Sequence, residues 1–298
     1  MVSSVTHDVG MRFLRVLALI VAVSVGLTGC AYNDDLPGRE AGPVSESGVE
    51  LPPTSGAFDY QLGEPYEVDG SLDAVALDSS QTPPEGVYGI CYVNGFQTQP
   101  GESAEWLSKR GDLLLRDASG APVVDPDWPD EYILDPSTSE QREGILAVLE
   151  PFIRGCAAAG FDAVEIDNLD TFTRFDGAAE VRGASIDESG ALALAARYVE
   201  IAHHAGLAIG QKNAAELADR GREELGFDFA VAEECGAFDE CAIYTAAYGP
   251  QVLQIEYTDN LPGGAEAVCS DPQRAPLTVI RDRDLVAAGA PGHFRQQC

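Results

Sequence analysis

From Ala57 onward the chain alternates short apolar runs with longer stretches whose apolar residues recur at helical spacing. Eight runs read as strands: residues 57–62, 72–78, 87–94, 162–167, 207–213, 227–234, 251–257 and 276–282. Most are continuously apolar rather than alternating, the pattern of a parallel sheet buried on both faces. Three helical patterns lie between them. Residues 139–160 end on Gly160, a C-cap signal, with Pro151 predicting a kink or a split into two helices. Residues 187–206 also end on glycine, and 214–226 give a third. Eight strands with helices between most of them is the count of a (β/α)8, or TIM, barrel. An open doubly wound sheet fits less well, because no glycine-rich phosphate loop follows any strand. Residues 112–138 exceed a simple connection and predict a short hairpin near the barrel mouth.

The stretch before this pattern is different. Arg12 and Arg15 precede an apolar run over residues 16–25, too short for an ordinary membrane span, and Leu27-Thr28-Gly29-Cys30 follows. This reads as a secretory signal over residues 1–30 ending in a bacterial lipobox, with Cys30 the lipid-bearing first residue of the mature chain and Met11 a second candidate start. Residues 31–55, rich in Pro, Gly, Ser and acids, read as a flexible stalk. The expectation is therefore a single domain over 56–298, exported and held on the outer face of the cell membrane by lipid alone. Cysteine usage agrees with export. Setting Cys30 aside, six of the seven cysteines remain, an even number that suggests disulfides. Cys235 and Cys241 are close in sequence and are the first pair to expect; the partners of Cys91, Cys156, Cys269 and Cys298 are left open.

Charge narrows the partners. The 298 residues carry 49 acids against 18 Lys and Arg, a formal net of −31. Such a surface excludes a phosphate-rich partner such as nucleic acid, which needs Lys and Arg contacts. It suits a cationic substrate, although solubility alone also explains it. Among motifs with a mechanism, HExxH, a P-loop, a GxSxG elbow and a strand-linked GxGxxG are all missing. The four histidines suggest neither a nucleophile's base nor a metal set, so no cofactor and no metal are expected, and the domain reads as a monomer.

The informative chemistry lies at the ends of the strands. Their last residues are Gln61, Asp78, Asn94, Asp167-Asn168, Lys212-Asn213, Glu233-Glu234, Glu256-Tyr257 and Arg281-Asp282, all polar except the tyrosine's ring, while the strand bodies are apolar. In a barrel these tips share one mouth. Crowded acids beside aromatics such as Tyr60, Tyr92, Trp106, Trp128 and Tyr257 fit a carbohydrate site, since glycoside hydrolysis needs two carboxyl groups flanking the scissile bond. Strand alternation puts Glu165 on the face of Asp167, one layer deeper, and turns Glu234 away from Glu233. Asp162 precedes the strand body and reads as structural.

In order along the chain stand "DYQL", "AVALD", "GICYVN", "WPDEYILD", "GFDAVEIDNLDTF", "GLAIGQKN", "FDFAVAEECGAFDEC" and "LQIEY". Over roughly residues 56–260 this series resembles glycoside hydrolase family 114, the endo-α-1,4-polygalactosaminidase type. The resemblance implies a TIM barrel that cleaves α-1,4-linked galactosamine polymers, cationic when deacetylated. It implies Asp167 as nucleophile and Glu233 as general acid/base. It also implies sugar contacts from Asp78, Asn168, Asp170, Lys212, Asn213 and Tyr257, and a Cys235–Cys241 disulfide fixing the loop beside Glu233. The chain departs from the family after its third strand, where "GFQTQPGESAEW" displaces Glu102. A barrel that binds glycan on the cell surface without cleaving it is the alternative reading; it has no need of the Asp167–Glu233 pair.

Overall fold

The computed structural model describes residues 42–298 apart from Asp69, Pro100 and 175–185. The signal stretch, Cys30 and residues 31–41 of the expected stalk lie outside the described residues. Eight parallel strands follow one another in order: β1 Phe58–Gln61, β2 Ala74–Asp78, β3 Tyr88–Asn94, β4 Ala163–Asp167, β5 Ala208–Lys212, β6 Phe229–Glu233, β7 Val252–Tyr257 and β8 Leu277–Arg281. Each lies within a predicted run. A ninth, β9 Arg295–Gln297, pairs antiparallel with β8 and was not expected. It is short and polar, so it carries no apolar signal.

β9 serves the seam between β8 and β1. Gln297 accepts from the Phe58 amide at 2.9 Å and donates to the Thr278 carbonyl at 2.9 Å. Buried Arg281 bonds the Tyr60 carbonyl and lies 3.1 Å from Asp59, which also pairs with Arg295. Side chains thus bridge the backbone edges that the ladder leaves. The Cys269–Cys298 disulfide anchors the end of this strand.

Alternation along the strands divides the apolar core in two. Phe58, Tyr60, Ala76, Ile90, Phe229, Val231, Ile255 and Val279 fill the barrel interior. Val93, Val164, Ile166, Ile209 and Ala230 face the helical layer instead. Gly210 on β5 leaves room for the Phe229 ring, which a Cβ there would meet at 2.6 Å. The two long helices are α2 Ser139–Ala158 and α4 Glu188–Ala205; shorter ones are α1 Ser103–Lys109, α3 Thr171–Arg174, α5 Ala218–Arg220, α6 Cys241–Tyr248 and α7 Ala265–Ser270. Thr138 and Gln141 form a capping box at the start of α2, and Gly206 closes α4 in the left-handed conformation. Among the described residues no helix is long and apolar enough to cross a membrane.

Three expectations differ from the structure. Pro151 neither splits nor ends α2, because it and Ala147, whose carbonyl loses its partner, lie on the exposed face where water can replace the bond. The helix expected over 214–226 is a 3-10 turn, a single α turn and a π turn in succession, with Gly221 pressed against Gln211 and the Tyr248 hydroxyl. Of the expected stalk, the described part is packed rather than free: Val49 and Leu51 are buried, and Tyr88 donates to the Glu50 carbonyl at 2.8 Å. The hairpin expected over 112–138 is present as a run of antiparallel bridges, including Val124 with Tyr132.

Candidate active site

The C-terminal ends of the strands open into a cleft of about 460 Å³. Inward positions on β4, β5 and β6 bring Asp167, Lys212 and Glu233 to its floor. Lys212 is buried, and its Nζ lies 3.5 Å from Asp167 Oδ1 and 3.2 Å from Glu233 Oε2. Burial alone would strip the proton from Lys212, but the charges of Asp167, Glu233 and Glu165 outweigh it and hold the ammonium charged. Both carboxylates remain reachable from the cleft, their side chains being 17% and 23% exposed.

Each acid is fixed by further donors. Asp167 accepts from the Tyr92 hydroxyl at 2.7 Å and from the Asn168 amide at 2.8 Å. Glu233 accepts from Asn213 Nδ2 at 3.0 Å and from the Tyr257 hydroxyl. Burial first, then the neighbouring carboxylates, push Tyr92 and Tyr257 well above the ordinary phenol range, so both stay protonated donors. The turns out of these strands are built for the purpose. Asn168, Asn213 and Glu234 follow β4, β5 and β6 directly with φ of 66°, 50° and 57°. Left-handed backbone is tolerated best by Asn among non-glycine residues, and such strain gathers at functional sites.

The structure brings together Asp78, Asn168, Lys212, Asn213 and Tyr257 around the Asp167–Glu233 pair. Asn168 turns its side-chain amide to Asn94 at 2.8 Å, so part of its role is to hold the β3 and β4 tips together. Asp170 is not among the residues lining the cleft; its carbonyl accepts from Thr173 at the start of α3. Glu234 lines the cleft beside Glu233, against the expectation from strand alternation, because its left-handed φ ends the strand and turns it back inward. There Arg283 holds it at 2.8 Å while the guanidinium lies over the Tyr257 ring. Trp106 is buried in the helical layer, away from the cleft, whereas Trp128 is 55% exposed at its rim. As expected, Asp162 is at the opposite end of the barrel, accepting from the Gly89 amide at 2.8 Å.

Sequence reasoning missed Glu131. It lines the cleft from the 112–138 hairpin and accepts from Asn94 Nδ2 at 2.7 Å. Burial, opposed by that bond and aided by Asp167, Asp125 and Asp130, pushes its carboxyl up to about 7. The signal was present in "WPDEYILD", but its distance from any strand tip hid it.

All six described cysteines are paired: Cys91–Cys156, Cys235–Cys241 and Cys269–Cys298. Cys235 and Cys241 lie near buried Glu256, a grouping that could suggest a metal. The disulfide occupies both sulfurs, so the group works as a loop clamp. Gly236, inside that loop, donates to Glu256 at 2.7 Å.

A nearly closed parallel barrel with a carboxylate pair at its C-terminal mouth defines the class: this is a TIM-barrel glycoside hydrolase. The match of residues 38–298 to glycoside-hydrolase family GH114 places it further, and the chain belongs to that family. Among solved structures it is similar to Aspergillus fumigatus Ega3 in complex with galactosamine, with TM-score 0.64 and 18% identity over 86% of this chain and 100% of that one. It is also similar to the glycoside hydrolase domain of PelA from Pseudomonas aeruginosa, with TM-score 0.52 and 14% identity over 79% and 97% of the two chains. A comparison with curated proteins returns no match.

Proposed function

We propose that the protein is an exported endo-glycosidase that hydrolyses α-1,4-linked galactosamine or N-acetylgalactosamine polysaccharide, tethered as a monomer through lipid on Cys30 to the outer face of the cell membrane. The observation that carries the reaction is the shared cation. Since the Asp167 and Glu233 oxygens both lie within 3.5 Å of one ammonium, they are no more than about 7 Å apart. That bound accommodates the carboxyl spacing of retaining enzymes, about 5–5.5 Å, and supports a retaining reaction. In this reading Glu233 protonates the departing glycosidic oxygen while Asp167 attacks the anomeric carbon. Glu233 then takes a proton from the water that hydrolyses the resulting ester.

The substrate class rests on the charge of the cleft. Asp78, Asp130, Glu131, Glu234 and Asp284 line it with the catalytic pair, against Lys212 and Arg283. An amino sugar's ammonium is attracted to such a wall, and the exposed Trp128 ring offers a face for the apolar side of a sugar. The galactosamine bound to Ega3 supports the same substrate.

The test uses residues 31–298, which leave out Cys30, incubated with acetylated and deacetylated α-1,4-galactosamine polymer, with oligosaccharide release followed by mass spectrometry. Release by the parent, lost in Asp167→Asn and Glu233→Gln proteins that keep the parent melting temperature, supports the reading. Binding of intact polymer without release would overturn it. Radiolabelled-lipid incorporation that disappears in Cys30→Ser tests the anchor separately.

A further inference from the structure

Glu165 on β4 lies one layer beneath Asp167 and takes no part in the two-acid reaction. Its side chain is wholly buried. Oε1 accepts from the Tyr60 hydroxyl at 2.6 Å, and Oε2 has no hydrogen-bond partner among the described residues. Lys212 donates to the same hydroxyl at 2.8 Å and stands 3.8 Å from Glu165. Below Asp167 the interior layers are otherwise largely apolar, and a buried carboxylate with an unmet oxygen is disfavoured there. An aliphatic side chain would fill the volume at lower cost. The charged and titratable groups facing Glu165 are Tyr60 on β1, Tyr92 on β3, Asp167 on its own strand, Lys212 on β5 and Glu233 on β6. Gly210, its register partner on β5, contributes no side chain.

Through Tyr60 and Lys212, Glu165 is therefore connected to both catalytic acids without touching substrate. We propose that Glu165 is a positioning residue: it holds the Lys212 ammonium from below and sets how much of that charge reaches Asp167 and Glu233, and so the pH range over which the site is active. This rests on the two-acid reading above. When Glu165 is ionised, Lys212 divides its charge among three carboxylates, and less of it reaches Asp167 and Glu233. When Glu165 is neutral, the whole charge goes to the upper pair. Burial, opposed by Lys212 and the Tyr60 bond, pushes the Glu165 carboxyl up to about 7, inside the range where the change matters.

The experiment measures kcat and KM of the parent, Glu165→Gln and Glu165→Asp from about pH 4 to 9 on the polymer the parent cleaves. In Glu165→Gln the alkaline limb moves about one unit to lower pH, and kcat at neutral pH falls about tenfold with KM little changed. Glu165→Asp, which keeps the charge, restores the parent limb. A Glu165→Gln protein with the parent profile overturns the proposal. Beside it, a carbon-13 titration of side-chain carboxyls in the substrate-free parent needs neither a variant nor a polymer. A common step near neutral pH in the Asp167 and Glu233 signals supports the coupling, and its absence overturns it. A parent inactive on every galactosamine polymer would defeat the proposed substrate, while this titration would still decide the role of Glu165.

Discussion

Asn213 and Glu233 exchange two hydrogen bonds: the Glu233 amide donates to Asn213 Oδ1 at 2.8 Å, and Asn213 Nδ2 donates to Glu233 Oε2 at 3.0 Å. The side chain of one strand tip thereby fixes both the backbone and the carboxylate of the next. A bond to a charged group is worth about 1.5–3 kcal/mol, so removing the amide lowers kcat about 10- to 100-fold. Asn213 also holds φ of 50°, so the choice of replacement matters. Asn213→Gly removes the amide without backbone strain and should lose activity with a smaller fall in melting temperature than Asn213→Ala. Asn213→Ala adds a further melting-temperature loss to the same kinetic defect. Equal kcat in parent and Asn213→Gly would show that Glu233 needs no such support.

This pair shows what the sequence made legible and what it did not. The eight strands stood out because their residues are buried on both faces, and their polar tips located Asp167, Lys212 and Glu233 at one mouth. Glu234 could not be placed, because strand alternation continues only while φ stays extended. Glu131 comes from a hairpin whose residues meet the barrel through tertiary contacts that leave no periodicity. β9 was hidden for a related reason: it joins the sheet through polar side chains at a seam, where an apolar run is not needed.

Lys212 is the cation that lets three acids share one floor. Lys212→Met keeps length and apolar contact but leaves Glu165, Asp167 and Glu233 facing one another. Breaking a buried ion pair by removing one partner costs about 3–5 kcal/mol. The loss should be greatest near pH 8, where Glu165 is ionised, and smaller near pH 5, where Glu165 carries a proton. Urea denaturation at the two pH values checks this. A loss independent of pH would mean that Lys212 contributes packing rather than charge.

The disulfides divide between stability and activity. Cys91–Cys156 spans 65 residues and ties β3 to α2, whereas Cys235–Cys241 spans 6 and closes the loop after Glu233. Loop-closure entropy assigns about 4 kcal/mol to the first and about 2 kcal/mol to the second. Replacing Cys91 and Cys156 together with Ala should lower the melting temperature more than replacing Cys235 and Cys241. The second pair of replacements should lower kcat more, because the loop that presents Glu233 and Glu234 is loosened. Melting curves and steady-state kinetics on both double variants decide the matter, and a reversed order in either measurement contradicts this division.

Glu131 makes a prediction about pH. Its carboxyl sits at about 7 in the folded protein against an ordinary 4.5. Between those values the folded state binds more protons than the unfolded chain, so stability falls as pH rises through the window. Below it the acid is neutral in both states and the penalty is absent; above it the full penalty applies. Glu131→Gln removes this dependence while leaving an oxygen for Asn94. The variant should melt near the parent at about pH 4.5 and about 2–4 °C above it at pH 8. Some decline with pH should persist in the variant, because buried Glu165 is shifted in the same direction. An offset between the two proteins that stays constant from acid to alkaline pH would show that Glu131 is ionised throughout, with Asn94 and the cleft water sustaining its charge.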